Sequence, residues 1–154
     1  MGSTQFSAIL SSYGQAIGIE GLRLDGQDCC MLDLNGALTT LMWRKEADSL
    51  IVYAPIGIVA EETDKTLLYR DLLQATTPGG ETKDMAIGLM PEMNLLTLSV
   101  TLPGAALSAP MLCRFLDFFA DSALYWQESV ARLQEEYALR QPVDKAGAQG
   151  GLQV

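Results

Sequence analysis

The stretch SAPMLCRFLDFFADSALYWQESVARLQEEYAL, running from Ser108 to Leu139, carries the marks of one long capped amphipathic helix. Ser108 suits the N-cap, and Pro110 suits the first turn, where a missing N–H costs nothing. Met111, Phe115, Phe119, Trp126, Val130, Leu133 and Tyr137 recur at intervals of three, four or seven, which predicts one apolar face. Arg114, Asp117, Asp121, Glu128, Arg132 and Glu135 fall mostly on the remaining surface. At ~1.5 Å per residue the helix is a rod of roughly 45 Å, long enough to cover a sheet from end to end.

The elements before it fit that role. Ser3 or Thr4 opens a first helix, with Phe6, Ile9, Leu10, Tyr13 and Ile17 at helical spacing and an end between Gly14 and Gly18. Cys29 to Leu34 and Ala37 to Arg44 read as strands joined by Asn35-Gly36, a strong tight-turn signal. A third strand runs from Leu50 to Ala54 and is expected to stop at Pro55. A second helix spans about Thr63 to Gln74, and Thr76 to Lys83 is a Gly/Pro-rich loop. Met85 to Met90 and Leu95 to Leu102 form two more strands around the turn Pro91 to Asn94. The order is α-β-β-β-α-β-β-α, which predicts an α/β chain of the α+β kind, with a twisted, mainly antiparallel sheet. Residues 1–140 read as a single domain, and 141–154, rich in Gly, Ala and Gln, as a disordered tail.

Composition narrows the function. At 154 residues with 49% hydrophobic content, one domain with a real core is expected. No apolar run reaches the ~18 residues of a membrane span, and the N-terminus lacks signal-peptide character, so a soluble cytoplasmic protein is expected. Ten basic against nineteen acidic residues give a net charge of −9, which argues against nucleic acid and anionic membranes as partners. That balance serves solubility, and equally a basic or neutral polypeptide partner.

Histidine is absent, which removes Ser-His-Asp and Cys-His catalysis and the commonest neutral-pH base. Cys29, Cys30 and Cys113 lack CxxC spacing, and the adjacent pair would point to opposite faces of a strand, so no metal is expected. Glu61, Glu62 and Asp64 precede a helix, where acidic groups complement the dipole. Gly79-Gly80 has neither the lysine nor the spacing of a phosphate loop. No catalytic residues, cofactor or enzymatic activity are predicted.

Two segments carry surplus apolar area. In the first hairpin Cys30, Leu32 and Leu34 share a face with Ala37, Thr39, Leu41 and Trp43. Yet the opposite face carries Met31, Leu38 and Met42, relieved mainly by Asp33 and Thr40. Helices on both faces would account for this, as would an exposed patch that binds a partner. In helix two Leu67-Leu68, Leu72-Leu73 and Tyr69 spread around the circumference, which fits either a crowded core or a twofold interface.

The ordered pattern resembles the class I chaperones of bacterial type III secretion, the group that includes the Tir chaperone. The resemblance runs from about Phe6 to Leu139. It rests on F-x-x-I-L-x-x-Y-G-Q-A-I-G from Phe6 and C-x-L-D-L-N-G-A-L-T-T-L from Cys30, then L-I-V-Y-A-P-I-G from Leu50. A-I-G-L from Ala86, L-L-T-L-S-V-T-L-P from Leu95 and L-C-R-F-L-D-F-F-A-D-S-A-L-Y-W-Q from Leu112 complete it.

The resemblance implies a homodimer without cofactor or catalysis that holds the N-terminal segment of a secreted effector soluble, partly unfolded and ready for export. It places the dimer interface on Leu67, Leu68 and Leu72 with Ile87 and Leu89. It places effector-binding patches on Phe6, Ile9, Leu10 and Tyr13 and on Met31, Leu38 and Met42. The secretion ATPase is a candidate further partner. The competing readings are a carboxylate-based enzyme or small-ligand domain, and an adaptor subunit outside secretion.

Overall fold

The computed structural model describes residues 1–139, and the segment 141–154 read as a tail lies outside them. The element order is α1 (Ser3–Ala16), β1 (Cys29–Leu34), β2 (Ala37–Arg44), β3 (Ser49–Ile58), α2 (Lys65–Ala75), β4 (Ala86–Met90), β5 (Leu95–Pro103) and α3 (Ala109–Glu136). The strands form one antiparallel sheet in the order β1-β2-β3-β5-β4, so β1 and β4 are its edges. This is the α+β architecture expected from the sequence.

The first hairpin pairs as the turn chemistry demands. Leu34 faces Ala37 and Asp33 faces Leu38 across Asn35 and Gly36, both of which have positive φ. Such a turn matches the right-handed twist of its strands. Asp33 Oδ1 also accepts a 2.7 Å bond from the Gly36 N–H. The register then carries Leu41 to Val52 and Val100, and Trp43 to Leu50 and Leu102, on one face.

Onto that face all three helices pack. Phe6 of α1 stacks on Trp43 at 4.9 Å between ring centroids, with the planes 8° apart. Helix α3 starts where Ser108 accepts the Met111 N–H at 3.2 Å, and it crosses β1, β2 and β3. Its buried side is Leu112, Leu116, Phe119, Ala120, Ala123, Trp126, Ser129 and Val130. Met111, Phe115, Leu133 and Tyr137 are half-buried at the border, so the buried stripe is rotated from the expected one. Small residues set its centre, because alanines let the helix axis approach the sheet while bulky groups splay to the sides.

Strand β3 does not stop at Pro55. It continues to Ile58 because the β2–β3 pairing stops before it: the last β2–β3 pair is Thr40 with Tyr53, Ala37 to Thr39 of β2 pair with β1 alone, and at Pro55 the strand pairs with β5 alone. A shift of register between Pro55 and Gly57 absorbs the irregularity. Gln127 Nε2 donates to the Pro55 carbonyl at 3.1 Å. At Gly57 a Cβ would lie 2.8 Å from Val130 Cγ1, so glycine is what allows α3 to reach the strand.

The far end of α3 is tied to the segment before α2. Gln134 Oε1 accepts from the Ala60 N–H at 2.8 Å and from Thr63 Oγ1 at 2.9 Å, while its Nε2 donates to the Ile58 carbonyl at 2.9 Å. Asp64 caps α2 by accepting the Leu67 N–H, which is the dipole-complementing role expected for this acidic run.

Two stability measurements test this packing. Gly57→Ala should cost about 1–3 kcal/mol in chemical denaturation, because Val130 and the β3 bulge must both shift. Burial pushes the Tyr13 phenol from its ordinary 10.0 to about 12. Between those values the unfolded chain has lost this proton and the folded one keeps it, so stability should fall as pH rises from 10.0 to about 12. In Tyr13→Phe that decline should be shallower, read from denaturation midpoints across the same pH series.

Candidate partner-binding surfaces

Because the helices lie on one side, the other side of the sheet is uncovered among the described residues. Cross-strand register places Cys29, Met42 and Ile51 in one row of that face and Met31, Thr40 and Tyr53 in the next, with Leu38 opposite Asp33 beyond them. Met31 is 65% and Leu38 46% exposed, while Met42, Ile51 and Tyr53 are half-buried by one another. The polar groups in the same rows, Thr40, Ser99 and Thr101, are uncharged. This face adjoins the free edge of β1, whose outward backbone groups have no strand partner in the sheet.

A second apolar surface lies at the opposite edge. Tyr69, Leu72 and Leu73 of α2 face Ile87 and Leu89 of β4 and Leu96 of β5 across a groove of about 230 Å³. Leu73 and Leu89, both in the groove lining, are 70% and 40% exposed, and Leu67 and Met90 are exposed outside it. Strand β4 is the other sheet edge, so apolar side chains and unpaired backbone again occur together.

The residues singled out from sequence divide accordingly. Met31, Leu38 and Met42 share the uncovered sheet face. Ile87 and Leu89 line the α2–β4 groove, and Leu67 is exposed on α2 nearby. Phe6, Leu10 and Tyr13 differ from the expectation of a surface patch: they are sealed in the core, where α1 meets Trp43 and α3. Only Ile9 of that set is half-buried. Leu68 is likewise sealed inside, whereas Leu72, though largely buried, lines the α2–β4 groove, and the exposed leucines of α2 are Leu67 and Leu73.

Two contributors to the open face, Ile51 and Tyr53, were not singled out from sequence. The signal was present, because Leu50 to Ala54 is apolar at every position and a strand so built must be greasy on both faces.

Neither surface has the chemistry of a reaction centre. Asp33 is the carboxylate nearest the open face in register, and it is engaged by the Gly36 N–H. None of the three cysteines forms a disulfide, and burial pushes the Cys30 thiol up, away from the thiolate that nucleophilic or metal-binding roles need. Cys29 and Cys30 sit on opposite faces of β1, as alternation requires. Among the described residues no helix is long and apolar enough to cross a membrane.

Comparison with known proteins places this architecture. No curated protein matches the chain in sequence. Solved structures share its fold at low identity. A chain of the ExsC–ExsE complex superposes with a TM-score of 0.72 at 19% identity, covering 83% of this chain and 96% of that one. For the HopA1–SchA chaperone–effector complex the values are 0.61, 18%, 80% and 91%. The Yersinia pestis type III secretion chaperone SycH, solved with a stable fragment of YscM2, gives 0.56, 16%, 79% and 98%. The sequence profile of the Tir chaperone protein (CesT) family matches residues 8–127, which takes in every element from α1 to the middle of α3. The chain belongs to the Tir chaperone protein (CesT) family.

Proposed function

We propose that this protein is a type III secretion chaperone of the bacterial cytoplasm that binds the N-terminal segment of a secreted effector and keeps it soluble, partly unfolded and export-competent. It acts as a single secretion-chaperone domain, as a homodimer and without catalysis. The observation that carries the reading is the uncovered apolar sheet face around Met31, Leu38, Met42, Ile51 and Tyr53, next to the free β1 edge. Family membership and the likeness to a chaperone solved with its effector support it.

An extended polypeptide satisfies such a surface in two ways. Its main chain adds to a strand edge, and its apolar side chains settle on the face beside that edge. Holding the client extended needs no bound nucleotide, since pulling on the client strips contacts one after another. Ordering a disordered segment opposes binding, so the contacts must be spread over a large area. Two protomers supply it.

The dimer forms through the α2–β4 groove. Exposed Leu67, Leu73 and Leu89 of one protomer bury against the same residues of its partner, with Ile87 beneath them, about a twofold axis. Light scattering should therefore give about twice the 16.7 kDa of one chain, and Leu73→Asp should return it to one.

Leu38→Asp and Met42→Asp test the client site. Each places a charge where an apolar client side chain must rest, so capture of the co-expressed effector should weaken on the order of a hundredfold or more. Dimer mass and helical circular dichroism should stay as in the parent. If the variants lose their fold, or bind the effector undiminished, the assignment of this face fails.

A further inference from the structure

A third surface lies on the helical side of the molecule, away from the open sheet face and from the α2–β4 groove. The loop after α2 folds back over α3 and leaves a cleft of about 450 Å³ between residues 81–85 and 118–126. Its walls are the aromatic rings of Phe118, Tyr125 and Trp126, and its mouth carries the carboxylates of Glu81 and Asp121. Neither carboxylate is ion-paired with another described residue. Glu81 accepts the Tyr125 hydroxyl, which holds that carboxylate over the cleft.

Two observations bear on what fits the cleft. Thr82 is 1% exposed and lines the cleft, and its hydroxyl has no hydrogen-bond partner among the described residues. That hydroxyl is sealed behind the cleft wall, so the polar groups open to an occupant are the exposed carboxylates of Glu81 and Asp121. The protein also shows the kind of charge that fits. The Lys83 ammonium lies 5.1 Å from the centre of the Phe118 ring, in the position of a cation over an aromatic face.

We infer that this cleft is a docking subsite for an arginine side chain of a polypeptide partner, with Lys83 standing in the cation position until the partner arrives. Aromatic walls and two exposed acids suit guanidinium better than ammonium. A planar guanidinium stacks on rings along its flat faces while its edge donates to carboxylate oxygens. The net charge of −9 draws a basic segment toward the surface, and the cleft gives the segment a definite place to sit. The subsite extends beyond the effector-binding reading and does not depend on it.

The test is an NMR titration of the full-length protein with the capped tripeptide Gly-Arg-Gly and with its citrulline counterpart, which is neutral and nearly the same shape. The arginine peptide should give saturable shifts in the amides of residues 81–85 and 118–126 and in the Trp126 indole, and the citrulline peptide should not. Glu81→Gln and Asp121→Asn should each weaken binding by about fivefold to tenfold.

Lys83→Ala should strengthen it by more than Lys65→Ala, because both remove one positive charge but only Lys83 occupies the site. Leu38→Asp on the opposite side of the sheet should leave the titration unchanged. Equal binding of the citrulline peptide, shifts centred elsewhere, or equal gains from the two lysine variants would overturn the inference, whatever the effector assay shows.

Discussion

A five-stranded antiparallel sheet has two faces, and this chain has spent its long helix on one of them. Helix α3 crosses β1, β2 and β3 with Leu112, Leu116, Phe119 and Trp126 pressed inward, and α1 joins it through the Phe6–Trp43 stack. Everything distinctive follows from that one-sidedness. The strands are apolar on both sides, yet among the described residues only one side is roofed. The cost falls on Met31, Leu38, Met42, Ile51 and Tyr53, and a net charge of −9 offsets it by favouring solubility.

Much of this architecture could be read from the chain, and the places where reading failed share a cause. The β1–β2 register was legible because Asn35-Gly36 fixes the turn and a period of two then assigns every side chain to a face. Helix α3 was legible in extent, since Ser108 and Pro110 mark its start, but its orientation was off by part of a turn. Large residues dominate any apolar pattern, whereas the helix axis is drawn to the sheet where residues are small, at Ala120 and Ala123. Pro55 misled for a related reason: a strand interior forbids proline only where a neighbour needs its N–H, and sequence does not show that the β2–β3 ladder stops at Tyr53.

The candidate partner surfaces were legible to a lesser degree. An amphipathic stripe such as Phe6, Leu10 and Tyr13 looks the same whether it faces a core or a partner, because the pattern records only that something apolar lies opposite. Surplus is the more informative signal. A strand that is greasy on both faces, or a helix with leucines on both sides, has more apolar area than one contact can bury. At Met31, Leu38 and Met42, and at Leu67 and Leu73, that surplus is left at the surface. The cleft under residues 81–85 had no such signal, because a loop and the outer face of a helix meet there only once the chain has folded.

Under the proposed assignment of the open face to the client, its composition also bears on how tightly a client would be held. Rows that mix methionine and isoleucine with Thr40, Ser99 and Thr101 make a surface apolar enough to be covered but not continuous enough to clamp. Thioethers re-pack against different neighbours at little cost, which favours tolerance of sequence over a single fit. Free edge backbone adds directionality without selecting side chains. A surface of this kind holds a polypeptide through many weak contacts, each broken separately. It can therefore bind firmly at rest and still release a client that is drawn away from one end, whereas a deep pocket would resist until a single large barrier was crossed.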